Sequence, residues 1–157
     1  MLEIVLEPEP STQWSNRMSD YWEIEEGNVD SARFFQALLK FFPEATTFYA
    51  EGTAMAEDVR TCYEAHKEDG AYLPQAQTLF PVSEKFRCKF SASFMNQLAQ
   101  LADHHAEPEL LDHLALYKET EILVCWHDAF ANVLLVSRSI PEEVVSQLAS
   151  KLGLGYR

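Results

Sequence analysis

The run from His113 to Ser137, HLALYKETEILVCWHDAFANVLLVS, leaves the chain little choice about its core. Leu, Ile, Val, Tyr, Trp and Phe dominate it, and only Glu119-Thr120 and the residues from Phe130 to Asn132 interrupt the apolar series. Segments rich in β-branched and aromatic residues, separated by short polar breaks, pair as consecutive antiparallel strands. The spacing therefore predicts a three-stranded meander. Such a sheet needs helices to cover its apolar surface.

The rest of the sequence supplies further strands and those helices. Leu2, Ile4 and Leu6 alternate with Glu3, Val5 and Glu7 ahead of Pro8 and Pro10, which predicts a short strand followed by a polar loop over residues 11–19. Trp22 and Ile24 alternate with Glu23 and Glu25 in the same way before Gly27-Asn28. Phe35, Leu38, Leu39 and Phe42 recur at helical spacing, so a helix should run from Asp30 or Ser31 to Phe42 and stop at Pro43. Phe34 and Phe41 widen its apolar stripe enough to demand burial on several sides. The ATTFY segment from Ala45 to Tyr49 reads as a strand entering a Glu51-Gly52 turn.

A second helix is expected from Ala54 to Glu68, capped by Thr53, with Met55, Val59, Cys62, Tyr63 and His66 on its apolar face. Lys85 to Ser91 alternates strictly, and Ser93 is placed to cap a helix that buries Phe94, Leu98, Leu101, Ala102 and His105. A last helix should run from Pro141 to Leu152, with Ser139 as cap and Gly153 as its stop.

The expected fold is α+β: a mainly antiparallel sheet with a C-terminal three-stranded meander and about four amphipathic helices packed largely on one face. Residues 1–157 are long enough to bury a core as one domain. The 71–84 segment, with two prolines and no period, is where a boundary between sub-lobes would fall.

Charge narrows the partners. Residues 1–70 carry fifteen Asp and Glu against five Lys and Arg, net −10, whereas residues 71–157 carry ten against seven, net −3. A strongly negative surface repels nucleic-acid phosphate and anionic lipid, so neither nucleic acid nor membrane is an expected partner. Acid by itself keeps a protein in solution. It also favours a basic protein partner, by the electrostatic logic of inhibitors and immunity proteins that neutralise basic toxins. That reading makes the chain a non-enzymatic interaction module with Glu23, Glu25, Glu26, Glu57, Asp58, Glu64 and Glu68 as partner-binding residues.

A second reading is a small hydrolase or ligand-binding enzyme with its site at one end of the meander. A two-residue turn at Glu119-Thr120 pairs Lys118 with Glu121, Leu116 with Leu123, Leu114 with Cys125 and Asp112 with His127. Asp112, His127 and Asp128 are then the catalytic candidates. Strand alternation would set His127 and Asp128 on opposite faces and prevent a dyad between them. A third reading is a homodimer built on Phe34, Phe41 and Trp22.

Cys62 and His66, at i and i+4 of the second helix, are the only pair spaced to chelate on one helical face, and no third ligand accompanies them, so neither metal nor cofactor is expected. The sequence has no Gly-rich phosphate loop and no nucleophile elbow. Lys85, Arg87 and Lys89 point away from Phe86, Cys88 and Phe90, which suits edge-strand protection or pairing with Glu23 and Glu25 on a neighbouring strand rather than a stacking platform for bases. Three widely spaced cysteines set among apolar residues, with no basic and apolar leader at the start, point to a reduced, cytoplasmic protein.

Overall fold

A computed structural model describes residues 20–69 and 82–157. The strand expected at Leu2 to Leu6, the 11–19 loop and most of the 71–84 segment lie outside the described residues.

Among the described residues, six strands form a single antiparallel sheet: β1 (Tyr21–Ile24), β2 (Thr47–Gly52), β3 (Glu84–Lys89), β4 (His113–Lys118), β5 (Glu121–Trp126) and β6 (Leu134–Ser137). Five helices accompany them: α1 (Ser31–Phe41), α2 (Glu57–His66), α3 (Ala92–Ala102), α4 (Glu107–Leu110) and α5 (Glu142–Leu152). The strand order is β1-β6-β5-β4-β2-β3, so the meander β4-β5-β6 forms the middle of the sheet. The architecture is α+β, as the periodicities predicted, with one more helix, the single-turn α4.

Pleating divides the sheet into two chemically distinct faces. Phe48 and Ala50 of β2 align with Cys88 and Phe86 of β3 and with Leu116 and Leu114 of β4. On this face Phe94 of α3 meets Phe48 with ring centroids 5.5 Å apart, and Phe34 of α1 meets Trp126 at 4.8 Å. Thr47, Tyr49 and Glu51 point the other way, beside Lys89, Arg87 and Lys85 and beside Tyr117, Ala115 and His113. Polar groups therefore gather on the second face.

The helix ends follow local chemistry. The Asp30 carboxylate accepts the Arg33 N–H at 2.8 Å and opens α1, while Gly153, at φ 74°, supplies the left-handed residue that closes α5. Three starts differ from expectation. Ser91 rather than Ser93 caps α3, through Phe94 N–H at 3.1 Å. Pro141 rather than Ser139 holds the cap position of α5, and Ser139 donates to Glu121 instead. The α2 helix begins after Ala56 rather than Thr53, whose amide and hydroxyl are both bound by Asp112.

Both sheet edges are covered by short segments. Glu23 N–H donates to Arg157 C=O and Arg157 N–H returns the bond to Glu23 C=O, so residues 155–157 extend the sheet beyond β1. At the other edge Glu68 N–H donates to Arg87 C=O. Pairing of this kind shortens the free edge that would template association. The strand order also corrects one expectation: β1 and β3 lie at opposite ends of the sheet, so Lys85 and Arg87 do not meet Glu23 and Glu25. Arg87 pairs with Glu68 at 3.3 Å, and Arg157 with Glu23 at 2.7 Å.

Phe34, expected at a dimer surface, is fully buried against Phe35, Trp126 and Phe130. Phe41 and Trp22 remain half-buried. No helix among the described residues is long and apolar enough to cross a membrane.

Candidate functional site

The site lies where β4 and β5 end together, and a β-bulge determines which residues meet there. Lys118 pairs with Glu121 as the two-residue turn requires, but the register shifts between Leu116 and Tyr117, so that Leu116 faces Val124 and Leu114 faces Trp126. The expected pairing of Leu116 with Leu123 and of Leu114 with Cys125 is thus displaced by one residue. A one-residue slip exchanges the residues that sit opposite each other and the faces they occupy. Beyond the last pair it brings His113, not Asp112, beside His127. Their imidazoles stack with centroids 4.2 Å apart and planes 3° from parallel.

β5 stops at Trp126, and the next residues form a turn. Asp128 takes a left-handed backbone, φ 48°, which swings its carboxylate round to the side of the two histidines. The expected separation of His127 and Asp128 onto opposite faces is therefore overturned: Asp128 Oδ2 is 3.7 Å from His127 Nε2, and Asp128 Oδ1 is 3.8 Å from His113 Nδ1. The backbone N–H of Asp128 donates to His113 Nδ1 at 2.9 Å. A ring nitrogen that accepts a peptide N–H carries no proton, so His113 is neutral with its hydrogen on Nε2. Burial first, and then the neighbouring His127, hold its pKa below the usual histidine value.

Asp112 serves structure. Its Oδ2 accepts both the amide and the hydroxyl of Thr53 at 2.8 Å, its N–H donates to Glu51 C=O, and its C=O accepts the Ala129 N–H. It ties the end of β2 to the β5-β6 turn. Asp112→Ala should destabilise the fold by about 1–3 kcal/mol, and Asp112→Asn by less because an acceptor remains. Urea denaturation of the two variants tests this; equal losses would mean that the side-chain oxygens of Asp112 do not hold Thr53.

A cleft of about 390 Å³ opens beside this turn, lined by Glu107, Pro108, Leu111, Asp112, Asp128, Ala129, Ala131 and Asn132. Its lining mixes three carboxylates with apolar side chains. The acidic surface continues outward, because His105 bridges Asp58 at 2.8 Å and Glu109 at 3.3 Å, joining the first turn of α2 to α4. The Asp58 hydrogen bond is the main reason that the His105 pKa lies above the usual value.

Of the expected partner-binding residues, Glu57 and Asp58 thus lie at the cleft end. Glu64 pairs with Lys67, and Glu68 with Arg87, further along the same edge. Glu23, Glu25 and Glu26 belong to β1 and the residues after it, five strand spacings from β3, about 24 Å. The seven residues therefore form two groups rather than one patch. His113, Glu107 and Asn132 were not anticipated.

Neither metal candidate has the geometry of a coordination site. Cys62 and His66 both turn to Gln97, 3.9 and 3.0 Å from its Oε1, and burial pushes the Cys62 thiol up to about 11, which disfavours the thiolate a metal needs. His113, His127 and Asp128 bring ligand atoms within 4.8 Å of one another. However, the Nδ1 lone pair of His113 already accepts a peptide N–H, and in-plane lone pairs on parallel stacked rings do not converge on one ion.

The described residues define an α+β protein with a six-stranded antiparallel sheet and an acidic cleft at the end of its central strands. Compared with known proteins, the chain matches no family, no curated protein and no solved structure.

Proposed function

We propose that the chain is a non-enzymatic interaction module that binds a basic protein partner through the acidic cleft end. The observation that carries this reading is the cleft itself, lined by the carboxylates of Glu107, Asp112 and Asp128 together with apolar Pro108, Leu111, Ala129 and Ala131. A Lys or Arg side chain has the matching form, an apolar stem with a cationic head. Glu57, Asp58 and Glu109 extend the negative potential outward and would steer such a partner during approach. Among the described residues, the polar side chains of the lining are three carboxylates and one amide, a set suited to holding a cation. A reducing cytoplasm is part of the same proposal, since Cys62, Cys88 and Cys125 are free and buried.

Two variants that remove the same charge separate a specific surface from general acidity. Glu57→Gln, Glu107→Gln and Asp128→Asn change the cleft end; Glu25→Gln, Glu26→Gln and Glu44→Gln change distant positions. With a basic protein recovered by salt-sensitive capture from native extract, the cleft variant should slow association about tenfold or more at low salt, and the distant variant much less. Equal slowing by both would show that only net charge matters and would remove the cleft from the proposal. Sedimentation of the protein alone tests self-association on the same material.

A further inference from the structure

The two hydrogen-bonding groups that Asp128 presents to His113 demand opposite protonation states of that ring. The backbone N–H, 2.9 Å from Nδ1, needs a bare nitrogen; the carboxylate Oδ1, 3.8 Å from the same atom, would take a proton from it. We propose that His113 is a proton-operated latch on the turn over residues 127–133. When neutral it accepts the Asp128 amide and holds the left-handed backbone there. When protonated it donates from Nδ1 to the Asp128 carboxylate, releases the amide, and lets the turn relax away from the cleft. The proton comes from solvent and no covalent bond is made or broken.

The surroundings make the exchange local. His113 is 5% exposed, so its charge state acts on fixed neighbours rather than on bulk water. From the turn it faces the stacked His127 and Asp128, from β2 its cross-strand partner Glu51, and along its own chain Asp112; Lys85 of β3 stands opposite Glu51 in the ladder, and Tyr49 donates to Glu51. Glu51, Asp128 and Asp112 favour the cation, whereas burial and His127 oppose it more strongly. The turn carries left-handed backbone at Asp128 and Phe130, at φ 48° and 70°; packing on Phe34, Phe35 and Trp126 fixes Phe130, whereas exposed Asp128 is held there by its hydrogen bond to His113. Other contacts hold the rest of the turn, among them Ala129 N–H to Asp112 C=O, Ala131 N–H to Asp128 C=O, the Trp126 indole to Asn132 C=O, the His stack and the packing of Phe130. Asp128, Ala129, Ala131 and Asn132 are also cleft lining, so the latch controls one wall of the cleft.

A histidine held neutral by the fold stabilises it fully above the unfolded value of about 6.5, and that contribution is lost as pH falls through the lowered folded value. The latch stands on this geometry alone, so its failure would leave the basic-partner reading untouched.

Amide hydrogen exchange and ¹⁵N NMR on the full chain test it between pH of about 8 and about 5.5, a range above the sequence pI of about 4.7. The Asp128 amide should lose protection at least about tenfold, relative to its intrinsic exchange, in step with titration of the His113 ring. His127→Ala, a change at a half-exposed position, should move that transition to higher pH because it removes the neighbouring imidazole. His113→Asn should abolish it. The proposal is overturned if the Asp128 amide stays protected while His113 titrates, or if the transition disappears in His127→Ala. If His113→Asn does not fold, the wild-type and His127→Ala titrations still decide the matter.

Discussion

Trp126→Ala is expected to remove about 3–5 kcal/mol of folding free energy, the largest effect of any single aromatic truncation near the site. Trp126 is fully buried at the end of β5, with its ring centroid 4.8 Å from Phe34 and 4.7 Å from Phe130. It therefore joins the sheet to α1 and to the β5-β6 turn at once. Phe130 holds φ 70°, a conformation that costs an aromatic residue on the order of 1–3 kcal/mol and persists only where packing enforces it. Phe34, Phe35 and Trp126 supply that packing. The Trp126 indole also donates to Asn132 C=O at 2.8 Å, so truncation removes a tie across the turn together with the apolar contact. Trp126→Phe should cost clearly less, because most of the buried surface stays and only the hydrogen bond to the half-buried Asn132 C=O is lost. Denaturant midpoints at unchanged slope measure both. A loss below about 1.5 kcal/mol for the alanine variant would mean that the site collapses around the cavity.

Glu51→Ala is expected to cost about 2–5 kcal/mol, more than most polar substitutions, because it deletes an acceptor inside the sheet rather than at its surface. Glu51 is 0% exposed. Tyr49 donates to its Oε2 at 3.1 Å, and Ser83 to its Oε1 at 2.9 Å. Burial first and the Glu51 charge second push the Tyr49 phenol well above its ordinary pKa, so Tyr49 stays protonated and able to donate. Alanine removes the acceptor that both hydroxyls use while leaving them buried or half-buried. Glu51→Gln keeps one acceptor oxygen and should lose less. A double-mutant cycle with Tyr49→Phe isolates the pair, and a coupling below about 0.5 kcal/mol would show that the two groups act independently.

Most of the helices and strands were legible because their signals are local. The alternation of Lys85 to Lys89 and the helical spacing of Phe35, Leu38 and Leu39 each lie within one element, and each element formed close to where it was expected. The cap of α2 was misread because Thr53 has two compatible partners, the start of its own helix and an aspartate 59 residues away, and only the second is realised. No local feature distinguishes them.

The site was harder to read for a related reason. His113 could be paired with His127 only by knowing that a bulge follows Leu116. In a half-buried strand the polar residues reveal such a slip, since each shift moves them to the wrong face. From His113 to Leu116 and from Leu123 to Trp126 both faces are buried, and apolar side chains occur at nearly every position. Two registers one residue apart then look alike. Periodicity accordingly gives Asp112 the place that His113 occupies; Asp128 does organise the turn before Asn132, as its position suggests, but its side chain lies beside His127 rather than on the opposite face.

By itself the amino-acid sequence determined the fold class, the central meander, the amphipathic helices and the excess of acid, because periodicity and composition are properties of neighbouring residues. Only the tertiary structure decided the order β1-β6-β5-β4-β2-β3. That order set Glu23, Glu25 and Glu26 apart from Glu57 and Asp58, and the chain path brought Glu107, Asp112 and Asp128 around one cleft. Strand order and register depend on pairings between distant segments, each pair differing little in backbone energy from its alternatives. Packing of the whole core selects among them, and no short stretch of sequence carries that selection.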